Sequence, residues 1–149
     1  MQTPFSLRPV AGAQGADVDG LDLAAGLSSA QRAALMGALA EHGVLFFRDQ
    51  RLDAAGLARL GRSLGTLTAH PAYPHPDDPA VAVLEHTRAR PSKIELWHTD
   101  MTFLQAPPLG SILTAQVVPP AGGDTWFASS RAAYDALSAP LRAMLDVAD

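Results

Sequence analysis

This sequence predicts a mainly β, α+β fold with helices at its periphery, and three observations predict it. The apolar runs are short and framed by glycine or proline, as in Ser111 to Val118 between Gly110 and Pro119-Pro120. The helix-forming stretches are brief, and three of them open on a serine or aspartate able to cap them. Between them lie turn-rich segments, of which the most marked, His70-Pro71-Ala72-Tyr73-Pro74-His75-Pro76, is too dense in proline for any regular element.

The elements follow in order. Ser6 to Leu23 alternates apolar and polar residues and carries Gly12, Gly15 and Gly20, so short strands joined by tight turns are expected there. Ser28 or Ser29 caps a helix over Ala30 to Glu41, which sets Leu35, Met36 and Leu39 on one face and ends at Gly43. Val44-Leu45-Phe46-Phe47 reads as a buried strand. Asp53 caps a second helix to about Ser63, stopped by Gly65. After the proline loop, Val81 to Glu85 reads as a strand and Arg88 to Lys93 as a loop. Trp97 to Phe103 and Ser111 to Val118 are the next expected strands, and Thr125 to Ala128 follows the Gly122-Gly123 turn as a shorter one. Ser129 or Ser130 caps a helix over Arg131 to Leu137, and Pro140 opens another.

That last helix runs to Asp149 without a glycine cap, a basic final turn or a proline. A small sheet would leave edges and an apolar face uncovered. Residues 1–149 therefore read as the N-terminal part of one domain, truncated, with the C-terminal part absent. Exposed edges of this kind favour association, so a homo-oligomer is open.

Composition narrows the class. Hydrophobic residues make up 48% and charged residues 17%, the balance of a globular chain. The net charge of −4 argues against nucleic acid or an anionic membrane as partner. The absence of cysteine excludes disulfides, thiolate nucleophiles and zinc–thiolate sites. The opening MQTPFSLRPV is not a secretion signal, and no apolar run approaches the roughly 20 residues of a membrane span. A cytoplasmic protein is expected.

The chemistry centres on Trp97-His98-Thr99-Asp100. In a strand, positions two apart face the same side, so His98 and Asp100 would aim at one point, with Thr99 turned away. An imidazole and a carboxylate so placed supply two corners of the two-histidine, one-carboxylate triad of non-haem iron(II) oxygenases. Taken alone, the tripeptide reads better as a strand histidine hydrogen-bonded to its neighbour.

Its surroundings decide between these. The run Trp97-His98-Thr99-Asp100-Met101-Thr102-Phe103, then Pro107-Pro108, then Gly122-Gly123-Asp124-Thr125 resembles the TauD/TfdA family of iron(II)- and 2-oxoglutarate-dependent dioxygenases. The likeness continues upstream through Gly65, His70, Tyr73 and His75, and back to His42-Gly43-Val44-Leu45-Phe46-Phe47-Arg48-Asp49-Gln50. The resemblance implies a double-stranded β-helix (a jelly roll), here partial. It implies His98 and Asp100 as ligands of Fe(II), with a third histidine and a 2-oxoglutarate-binding arginine farther along than this sequence shows. It also implies Thr125 as a contact to 2-oxoglutarate, and His70 and Tyr73 as contacts to a small anionic substrate.

The expected reaction uses O2 and 2-oxoglutarate to hydroxylate taurine, an alkyl sulfonate or an alkyl sulfate, releasing succinate and CO2. One departure bears on the substrate. Three residues before Trp97, where the taurine enzymes carry a substrate-binding asparagine, this chain has Ile94, which forfeits a hydrogen bond of about 0.5–1.5 kcal/mol. His42, His75 and His86 read as structural or surface residues. With two ligands of three, the chain is expected to be inactive alone. A truncated relative serving as a binding or oligomerising module is the rival reading, and two chains completing one site is a third.

Overall fold

The computed structural model of the chain describes residues 4–69, 78, 80–87, 89–92, 94 and 96–147. The chain divides into two compact units, one of residues 1–22, 28–49 and 119–149, the other of residues 23–27 and 50–118.

The first unit is organised around a three-stranded sheet of order β1-β2-β3. Strands β1 (Ser6–Pro9) and β2 (Ala16–Asp19) pair antiparallel, with Leu7 opposite Val18 and Arg8 opposite Asp17. The turn between them closes where Val10 N–H donates to the Gly15 carbonyl. Gly15 has φ of +94°, and a Cβ there would stand 2.8 Å from Val10, so glycine is required on both counts. Strand β3 (Leu45–Phe46) joins β2 in parallel, Ala16 opposite Leu45. A parallel partner needs a crossover, and α1 (Ser29–His42) supplies it.

Local chemistry explains α1. The Ser28 hydroxyl accepts from Gln31 N–H while the Gln31 side chain accepts from Ser28 N–H, a complete capping box. At the other end Gly43, with φ of 70°, returns its N–H to the Leu39 carbonyl. Two of the helix's terminal carbonyls, those of Ala40 and Glu41, accept from the Arg131 guanidinium at 3.3 and 2.9 Å. Arg131 lies in α3 (Ser130–Asp135), which is capped by Ser129 and followed by α4 (Ala139–Leu145) with Pro140 in its first turn. The core of this unit holds Phe5, Ala16, Val18, Leu21, Leu35 and Ala38. Asp17 is buried there, 4% exposed, between Arg8 at 2.6 Å and Arg48 at 3.1 Å. Arg48 also lies over the Phe46 ring, and Phe46 meets Phe127 edge to face.

The second unit contains α2 (Ala54–Leu64), capped by the Asp53 carboxylate on Gly56 N–H. Ala58 and Leu60 of α2 are buried, as are Leu23 and Val81 of the same unit.

Three of the four described helices start at side-chain caps and the fourth has Pro140 in its first turn, whereas most of the expected strands do not form. Val81 to Glu85 has a lone bridge residue at Ala82. Residues 97–103, 111–118 and 125–128 are irregular or turn, and β3 covers two residues of the four expected and is half-buried rather than buried. A strand needs a neighbour to take up its backbone N–H and C=O groups. Among the described residues the segments 97–103, 111–118 and 125–128 have no ladder partner, and Leu113, Val117 and Val118 are exposed. The observed architecture is thus a small sheet with helices. None of the described helices is long and apolar enough to cross a membrane.

Candidate metal site

Within the second unit, the chain brings His98 and Asp100 together without a strand. Residues 97–99 are irregular and 100–103 form a turn, closed where Leu104 N–H donates to the Met101 carbonyl at 3.1 Å. Met101 has φ of 54°, the left-handed conformation uncommon for a residue with a side chain. His98 Nε2 and Asp100 Oδ1 lie 3.2 Å apart, with both side chains about half exposed. A six-coordinate ion with bonds of about 2.1 Å sets adjacent donors about 3.0 Å apart, so this spacing suits two neighbouring corners of one octahedron.

The hydrogen bonds around the pair decide what each atom offers. His98 Nδ1 lies 2.9 Å from the Leu96 carbonyl oxygen, which can only accept, so Nδ1 carries the proton. In the neutral ring, Nε2 then holds a lone pair. Asp100 Oδ2 accepts from the Ser111 hydroxyl at 3.0 Å, which leaves Oδ1 toward His98. Two lone-pair atoms thus face each other across 3.2 Å, an arrangement that asks for a cation between them, either a proton or a metal ion. The donor types fit a metal that takes imidazole and carboxylate. Among the described residues no third histidine, aspartate or glutamate joins them.

The other expected site residues fall elsewhere. Thr125 belongs to the first unit, exposed and outside regular structure. His70, Tyr73 and His75 lie outside the described residues. His42 ends α1, and its carbonyl accepts from Gly15 N–H at 2.8 Å, a backbone role in the turn before β2. His86 is exposed. Ser111, which touches Asp100, carries no signal in the sequence. It lies eleven residues on, past Pro107-Pro108, where neither helical nor strand periodicity links the two positions.

Comparison with known proteins sets this geometry in context. Residues 6–148 match the family described as taurine catabolism dioxygenase TauD, TfdA family. The chain is 40% identical over 143 residues to an alpha-ketoglutarate-dependent sulfate ester dioxygenase of Pseudomonas putida, covering 95% of this chain and 47% of that protein. It is 34% identical to an alkylsulfatase of Acinetobacter baylyi, covering 89% of this chain and 42% of that protein. Its fold superposes on the crystal structure of a taurine dioxygenase from Burkholderia xenovorans with a TM-score of 0.81 and 33% identity, covering 97% of this chain and 51% of the other. The chain thus spans about half the length of these proteins.

Proposed function

The chain belongs to the taurine catabolism dioxygenase TauD, TfdA family, and from that premise we propose that it carries two iron ligands of a 2-oxoglutarate-dependent dioxygenase acting on a small sulfur-containing anion. The observation that carries the reading is the 3.2 Å approach of His98 Nε2 to Asp100 Oδ1, each with its other polar atom already engaged.

In this reading His98 presents Nε2 and Asp100 presents Oδ1 to one Fe(II), while Leu96 and Ser111 hold the two side chains in orientation. Iron(II) with 2-oxoglutarate supplies the oxidising chemistry when bound, consuming O2 and yielding succinate and CO2. The Thr125 hydroxyl orients a 2-oxoglutarate carboxylate by one hydrogen bond, which directs the group without neutralising its charge. Neutralisation falls to an arginine, and the third ligand to a histidine, both supplied from outside these 149 residues. The imidazole of His70 and the phenol of Tyr73 donate to the anionic head of the substrate. Ile94, apolar and exposed, supports an alkyl sulfate ester over taurine, whose amine it cannot hydrogen-bond. The relatives named for sulfate esters support the same choice. The domain is a partial jelly roll in this reading, and the protein is cytoplasmic.

The test is succinate release from 2-oxoglutarate with iron(II), ascorbate and a panel of alkyl sulfates, alkyl sulfonates and taurine. Turnover is expected only when the complementary region is present, and Asp100→Ala should then abolish it. Turnover by the 149-residue chain alone would overturn the division of ligands and favour two copies completing one site. Stoichiometric product from Asp100→Ala would refute its assignment. A protein inert on every substrate but binding 2-oxoglutarate or another copy of itself would be a binding module instead.

A further inference from the structure

We infer that Ser111 is a positioning residue that holds the Asp100 carboxylate in its cation-facing orientation. The inference rests on the metal reading above. Asp100 is more than half exposed, so packing does not fix it. The torsion that turns a carboxylate about its Cβ–Cγ bond is broad and soft, so an exposed aspartate samples many orientations. One contact breaks that freedom: the Ser111 hydroxyl donates to Oδ2 at 3.0 Å, and Oδ1 is left 3.2 Å from His98 Nε2. The imidazole is fixed by main chain, through the Leu96 carbonyl, and so cannot be varied by substitution. The carboxylate is fixed by a side chain, and Ser111 is therefore the adjustable member of the outer shell. Losing such an outer partner typically costs 10–100-fold in metal affinity.

The hydroxyl, rather than the bulk of the side chain, carries the effect. Ser111→Thr keeps it, and Ser111→Val has the shape of threonine without it. Mn(II), redox-silent and read as the free ion by electron paramagnetic resonance, is titrated into the 149-residue chain and its variants, with circular dichroism as the control for folding. One saturable site is expected in the unsubstituted chain. Ser111→Val should raise its Kd by about tenfold, Ser111→Thr should leave it near the unsubstituted value, and His98→Ala should abolish it. Equal affinities for the threonine and valine variants would overturn the role of Ser111 while leaving the metal reading intact. Retention of the site in His98→Ala would overturn the metal reading and the role of Ser111 with it.

Discussion

Met101 carries an unusual burden for a methionine: at φ of 54° it turns the backbone just after Asp100. The two-residue spacing of His98 and Asp100 was legible in the sequence, although the reason first given for their approach, strand alternation, is not the one the chain uses. Ser111 was not legible, because its contact to Asp100 depends on the path of residues 101–110, which no local pattern encodes. Tyr134 supplies a residue-scale prediction of another kind. The hydrogen bond from its hydroxyl to Asp146 raises its pKa above the ordinary phenol value, with a smaller effect of burial and then of the nearby Asp135 charge. The neutral phenol is the favoured form, so the stability it lends is complete below the ordinary phenol pKa and is lost as pH rises through the raised value. In a Tyr73→Phe background, which leaves one tyrosine, the ultraviolet phenolate titration should have its midpoint above that of free tyrosine. Asp146→Ala should bring it back down, and an unchanged midpoint would refute the pairing.

At the scale of elements, helices and strands were legible to very different degrees. Three of the four described helix starts are written within four residues: Ser28 with Gln31, Asp53 with Gly56, Ser129 with Ala132. Capping is a local event, and the sequence contains all of it. A strand is a property of a pair, and the apolar runs at 97–103 and 111–118 say nothing about what lies beside them. The strands that do form are those with a partner nearby or joined through α1. Ser28→Ala should remove the serine half of the capping box and cost about 1 kcal/mol. Urea denaturation should show a lower midpoint at unchanged slope. A midpoint that does not move would mean that α1 is held by its packing and by Arg131, with little contribution from its start.

For the whole molecule, the apolar surface is the measurable quantity. Trp97 and Trp126, the two tryptophans of the chain, are 68% and 77% exposed. Acrylamide should quench both indoles, with no protected fraction, as long as the chain is by itself. A protected fraction that grows with protein concentration would show a second copy covering them, an association that an exposed apolar surface invites. The connectivity of the sheet also sets how much chain each of its ion pairs must close. Arg8 and Asp17 are nine residues apart, while Asp17 and Arg48 are separated by 31, across the whole of α1. Closing the shorter loop costs less entropy, so the Arg8–Asp17 pairing within the β1–β2 hairpin is the cheaper of the two to form. The Arg48 pairing spans α1 and ties β3 to the same carboxylate, so one buried acid joins the local hairpin to the strand brought in by the crossover.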